Sequence, residues 1–215
     1  AWQRLLPGRG RPTLIDLSLF TSVSFSWGVT LATVVSFALF GLLFTAPQYF
    51  QAVLGADALG TGVRLLPFIG GMLVGAPVAD RVVRIIGGKV TVALGFLFAA
   101  IGLFAGAQTD LDTGYGFVAA WIAVVGMGMG FALPQAVNAA VGALSVERTG
   151  VGPALVQTVR QVGGTVGVAF LGTVLSSAYH DKIDVTGLPP GAADSVTDSV
   201  AGGVAQVVDH LVAQL

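Results

Sequence analysis

Residues 17–56 read LSLFTSVSFSWGVTLATVVSFALFGLLFTAPQYFQAVLGA, and between Asp16 and Asp57 there is no Asp, Glu, Lys or Arg. A helix needs about 20 mostly apolar residues to cross the hydrocarbon core of a bilayer. The stretch supplies one such crossing, over 21–45, with Pro47, Gln48 and Tyr49 near its exit. Hydrocarbon offers no hydrogen bonds, so the backbone of a crossing segment has to pair internally, and a helix does this within itself. A membrane β-barrel would instead show alternating segments of about ten residues, and the sequence has no such alternation.

Working outward, four further segments follow the same logic. Residues 59–79 are apolar except for Arg64, and Pro67 and Pro77 are expected to bend them because each removes a backbone donor. Residues 90–108 lie between Lys89 and Asp110 without a charge, 116–137 sit in the uncharged run from Thr113 to Val146, and 154–177 are interrupted by Arg160. The expected fold class is therefore all-α integral membrane, with about five transmembrane helices over 19–177. Composition agrees: 54 % of the 215 residues are hydrophobic and 10 % charged, against about 25 % charge in an ordinary soluble domain. Mean hydropathy is +0.86. A water-soluble fold of this length would leave too much apolar surface exposed. A net charge of −1 speaks against a nucleic-acid partner, which needs a basic face, and the absence of Cys removes disulfides and thiolate metal sites.

The connections divide by charge. Segments 1–18, 80–89 and 143–153 hold Arg4, Arg9, Arg11, Arg81, Arg84, Lys89 and Arg148, whereas 50–58, 109–115 and 178–215 hold Lys182 as their one basic residue. Lys and Arg accumulate on the cytoplasmic side of membrane proteins, so 1–18 is expected to be a cytoplasmic basic segment. The segment 178–215 is then an outer-side loop. Within it Gly187-Leu188-Pro189-Pro190-Gly191 signals a turn, and Val200, Val204, Val207, Val208, Leu211 and Leu215 recur at the spacing of an amphipathic interfacial helix. Residue 1 is Ala and no secretory signal is read. Five crossings leave the two ends on opposite faces, and a sixth helix beyond residue 215 is expected to bring them back together.

Gly71 and Gly75, Gly102 and Gly106, Gly126 and Gly130, and Gly163 and Gly167 each stand four apart, which puts a flat strip on one helix face for close packing. The same strips would let helices rock, and Gly126-Met127-Gly128-Met129-Gly130 before Pro134 is the candidate flexible span. Arg64 lies about one turn from an outer helix end and is read either as snorkelling or as a cavity residue. Arg160, in Gln157-Thr158-Val159-Arg160-Gln161, lies about two turns into its span. Such a charge faces a bundle interior or a water-filled cavity, or snorkels to the inner surface. Gln48, Tyr49, Gln135, Asn138, Gln157 and Gln161 are the uncharged candidates for cavity lining or for bonding helix to helix.

No acid lies inside a span, so a proton-carrying group is expected outside this chain. No catalytic constellation, metal site or cofactor is expected either. His180 and His210 stand thirty residues apart, and Gly87-Gly88-Lys89 lacks the spacing of a phosphate-binding loop.

Several stretches carry a family resemblance: Leu14-Ile15-Asp16-Leu17-Ser18-Leu19-Phe20, Ala46-Pro47-Gln48-Tyr49-Phe50-Gln51, Gly62-Val63-Arg64-Leu65-Leu66-Pro67, Ala79-Asp80-Arg81, and Val159-Arg160-Gln161-Val162-Gly163-Gly164-Thr165-Val166-Gly167-Val168-Ala169. In this order, over roughly 12–180, they resemble the C-terminal half of a major facilitator superfamily transporter of the fourteen-helix drug:proton antiporter group. The resemblance implies that the spans are helices nine to thirteen, an incomplete C-terminal six-helix bundle, and that the tail is the loop before the last helix. Asp80, Arg81, Gly88 and Lys89 are similar to the family's cytoplasmic loop motif, although Val82–Gly87 is longer than that motif expects. The implied activity is proton-coupled export of small drug-like or amphipathic compounds. The implied partners are membrane lipid, substrate, protons and the N-terminal bundle of the same transporter. The alternative is a non-catalytic membrane scaffold acting through helix–helix contacts.

Overall fold

The computed structural model describes residues 17–110, 112–142 and 152–182. Their architecture is a bundle of five long helices: α1 Val23–Gln48, α2 Ala58–Ile86, α3 Gly88–Gly106, α4 Tyr115–Gly142 and α5 Gly152–Lys182. All five are long and apolar enough to cross a membrane. The expected amphipathic helix over 200–215 and the basic residues of 1–16 lie outside the described residues.

Local chemistry sets the helix ends. A 3-10 turn, Leu17–Thr21, leads into α1, and the Ser22 side chain accepts from the Phe25 N–H at 3.5 Å. At the far end of α1, just past Pro47, the chain widens into a π-helical turn, Tyr49–Val53. Asp57 caps α2 by accepting from the Gly60 N–H at 2.7 Å, which occupies one of the orphan donors of a first turn. Helix α2 continues past the expected boundary near residue 79 through Ile86, so Asp80, Arg81 and Arg84 lie on its last two turns rather than in a loop. Only Gly87, at φ +83°, separates α2 from α3. Glycine takes that left-handed conformation without the steric cost other residues meet, and it is the residue that commonly stops a helix this way.

Helix α4 is the centre of the bundle, packing on α1, α2 and α3, while α5 packs on α1. Half of the most apolar stretch of α4 is buried, against 17–28 % for the other helices. Contacts fix the helix directions. Phe68 and Met72 of α2 meet Gly126 and Gly130 of α4, so these two run parallel. Gly95 and Gly102 of α3 meet Ala132 and Trp121 of α4, so these run antiparallel. Early α1, at Phe25 and Val29, clusters with Ala140 at the end of α4, while Val35, Ala46 and Phe50 cluster with Val118, Ile122 and Val125 near its start. Thr33 and Phe37 of α1 meet Gly163 and Gly167 of α5 in parallel. Odd and even helices therefore alternate in direction. One end of the bundle gathers the start of α1, the α2–α3 link, the end of α4 and the start of α5.

Glycines make these approaches possible. A side chain at Gly126 would run into the Phe68 carbonyl, and one at Gly130 would sit 2.7 Å from the Met72 carbonyl oxygen. On another face of α4, a side chain at Gly128 would lie 2.5 Å from the Gly95 carbonyl oxygen and 2.6 Å from the Ala99 nitrogen. The Gly126–Gly130 run thus wedges α4 between α2 and α3, backbone against backbone. Gly126→Val should cost about 1–3 kcal/mol through overpacking, read as a lowered unfolding midpoint in detergent. Gly70→Ala, where nothing lies within 4 Å, should leave that midpoint unchanged or raised.

Candidate functional site

Helix α5 carries a run of exposed polar residues within its apolar length. Gln157, Thr158, Gln161 and Thr165 are exposed along it, whereas the exposed faces of α2 and α3 carry Leu66, Ile69, Leu73, Leu97, Ile101 and Phe104. The threonines of α5 do not by themselves demand water. Thr158 and Thr165 donate to the Ala154 and Gln161 carbonyls at 2.9 and 3.0 Å, the back-bonding that satisfies a hydroxyl inside an apolar medium. The glutamines and Arg160 make no such backbone bonds.

Arg160 sits two turns into α5, half-buried against α1. Its Nε donates to Ser36 Oγ at 3.0 Å, and its Nη1 donates to Gln157 Oε1 at 3.0 Å. Ser36 is fully buried, and its own proton goes to the Ala32 carbonyl at 2.8 Å. Its lone pairs therefore remain for the guanidinium. Gln157 Nε2 in turn donates to Gln161 Oε1 at 3.4 Å. Sequence reasoning picked out Arg160, Gln157 and Gln161, and the structure brings them together. It missed Ser36, one hydroxyl in a long apolar run with no local signal to mark it.

At the bundle end that holds the α2–α3 link, Gln135 of α4 donates its amide to Asp80 Oδ1 at 2.9 Å, and Arg84 Nε donates to the Asp80 carbonyl oxygen at 3.2 Å. Gln135 is buried and bonds helix to helix. Among the described residues, the Asp80 carboxylate takes this glutamine rather than one of the neighbouring cations. Arg81, Gly88 and Lys89 are exposed near the link, and Asn138 is exposed near the end of α4.

At the other end, a cleft of about 380 Å³ lies among α1, the π-turn, the end of α3 and the start of α4, with Leu175 of α5 on its wall. Gln48, Tyr49, Thr109 and Trp121 line it. Gln48 donates to the Phe44 carbonyl at 3.2 Å, while Thr109 Oγ1 and Trp121 Nε1 are buried without a partner among the described residues. Arg64 lies nearer α4, where its carbonyl accepts from the Tyr115 hydroxyl at 3.3 Å, and its Nη1 is buried and unpartnered among the described residues. Gly126, Gly130, Gly163 and Gly167 all lie at helix–helix contacts.

A multi-pass helical bundle, joined by glycine contacts and carrying one polar helix face, is the architecture of a membrane protein that works between its helices. Residues 3–168 match the Major Facilitator Superfamily, and the chain belongs to that family. It is similar to the tetracenomycin C resistance and export protein of Streptomyces glaucescens, 32 % identical over 93 % of this chain and 38 % of the relative. It is also similar to the multidrug efflux pump LfrA of Mycolicibacterium smegmatis, 25 % identical over 94 % of this chain and 40 % of the relative. A third relative is a probable actinorhodin transporter of Streptomyces coelicolor, 29 % identical over 96 % of this chain and 36 % of the relative. The chain thus spans two-fifths or less of the length of these curated relatives.

Two outcomes are expected. These 215 residues contain no Cys, so a single cysteine placed among them is the one thiol they contribute. Gln161→Cys should react with a water-soluble maleimide in membranes, while Leu97→Cys, on the apolar face of α3, should not. Gln135→Leu should lower stability by about 1 kcal/mol by removing the bond to Asp80, measured as a shifted unfolding midpoint.

Proposed function

We propose that this chain forms five of the six helices in the C-terminal bundle of a proton-coupled antiporter that exports small drug-like or amphipathic compounds. The observation that carries the reading is the Ser36–Arg160–Gln157–Gln161 cluster. It is a charged, hydrogen-bonded group at the edge of the α1–α5 contact, beside Gln157 and Gln161, which are exposed among the described residues, in a family whose similar members are named export proteins. A charge at that depth is stable only toward a protein interior or a water-filled path. The face is therefore assigned to the cavity between this bundle and the N-terminal bundle, with α5 and α1 as its wall.

Transport then proceeds by rocking one bundle against the other around a midplane site. The close glycine contacts of α4 with α2 and α3 support this, because they let the bundle move as a body. Arg81, Arg84 and Lys89 gather at the bundle end that holds the starts of α1 and α5. By the positive-inside bias this end is cytoplasmic. None of the described helices carries an acid at mid-depth, so the group that carries the imported proton belongs to the other bundle. Asp80 near the cytoplasmic end, bonded to Gln135, ties α2 to α4 during the movement.

The test is efflux in everted membrane vesicles containing the intact transporter, with ethidium as probe. Ethidium uptake into the vesicles should follow an imposed pH gradient and should fall at least tenfold with a protonophore. Uptake that persists when the gradient is collapsed would sink proton coupling.

A further inference from the structure

We infer that Arg160 is an oxyanion-recognition centre: the exposed edge of its guanidinium, with the amide of Gln161, binds a carboxylate, phenolate or sulfonate presented to the polar face of α5. The inference rests on the cavity assignment above and names the chemistry of what meets that cavity wall.

Arginine has five N–H donors and no acceptor. Two of those donors are taken, both by neutral oxygens, Ser36 Oγ and Gln157 Oε1, each at 3.0 Å. Neither partner compensates the charge. Among the described residues the elements packed near α5 supply no acid: α1 from Val23 to Gln48 and α4 from Tyr115 to Gly142 contain no charged residue, and Arg160 makes no ion pair there. A guanidinium in a membrane-spanning segment without a counter-charge is costly.

The hydrogen-bond order then fixes what the cluster offers outward. Because Arg160 only donates, Gln157 must turn its oxygen to it, and its amide nitrogen points away to Gln161 Oε1 at 3.4 Å. Gln161 is thus committed as acceptor on that side and leaves its own NH2 outward. The Ser36 proton is committed to the Ala32 carbonyl at 2.8 Å. The guanidinium itself offers only donors outward, and the remaining donors of Nη1 and Nη2 form the fork that suits bidentate oxyanion binding. Val162 and Val166, exposed on the neighbouring strip of α5, would flank the apolar body of such a ligand.

The oxyanion has two sources, an anionic amphipathic ligand or a carboxylate side chain elsewhere in the transporter, and one experiment separates them. The intact transporter, purified in detergent, is titrated with 2-naphthoate and with neutral 2-naphthamide, and unfolding midpoints are recorded for R160Q and R160K. If the ligand carries the oxyanion, R160Q weakens 2-naphthoate at least tenfold and 2-naphthamide less than twofold, and R160K keeps part of the preference. If a protein carboxylate is the partner, R160Q shifts both probes equally and lowers the midpoint, and R160K restores it. The inference is overturned if R160Q leaves both the ratio of the two affinities and the midpoint unchanged, or if a lowered midpoint is not restored by R160K. A naphthoate preference that survives alongside gradient-independent efflux would uphold oxyanion recognition while removing proton coupling.

Discussion

Backbone-to-backbone contact at glycine is the constraint on which the bundle depends. In water, helices associate because apolar faces leave solvent. In lipid that drive is gone, and helices stay together through van der Waals contact and the few polar bonds that cross between them. Dispersion falls off steeply with separation, so two helices must come close along their length. Gly126, Gly128 and Gly130 achieve this for α4 on two faces at once, because residues two apart point to different sides of a helix while residues four apart share one. Phe68 and Met72 of α2 and Gly95 and Ala99 of α3 all press on that short run. The α1–α5 pair repeats the device with Gly163 and Gly167 against Thr33 and Phe37.

That device favours packing among the two readings of one stretch of sequence. Gly126-Met127-Gly128-Met129-Gly130 has the composition of a hinge, and in isolation it would lower helix stability. In the bundle the same glycines are buried and in contact on two sides. A residue that weakens a lone helix can fix its place in a packed one. Which effect wins depends on neighbours that a sequence does not display.

The helical class was legible because charge and length are one-dimensional properties: a run such as 17–56 needs no partner to be recognised as a crossing. The alternation of helix direction was legible too, since it follows from connecting consecutive crossings. The candidate site was only half legible. Arg160, Gln157 and Gln161 stand out as polar residues within one apolar segment. Ser36 lies 124 residues away on α1 and becomes part of the site only through packing. The Asp80–Gln135 bond has the same character, since each residue is visible and their pairing across 55 residues is not. The extension of α2 to Ile86 was hidden for a different reason. Charged residues read as a loop, yet at a membrane surface Asp80, Arg81 and Arg84 can extend into the headgroup region while the helix continues beneath them.

The two side-chain-to-side-chain bonds between helices differ in a way that bears on movement. Asp80 and Gln135 join α2 to α4 at one end of a pair already locked by glycine contacts, so their bond reinforces a fixed arrangement. Arg160 and Ser36 also join glycine-packed helices, α5 and α1, but there only part of the donor set is consumed. The unused donors are left for an acceptor from outside this pair of helices. A fully satisfied polar group rigidifies its surroundings, whereas a partly satisfied charge in low dielectric gains strongly from any acceptor that approaches. The first type of contact suits the interior of a body that moves as one piece. The second suits the surface across which such bodies separate and meet.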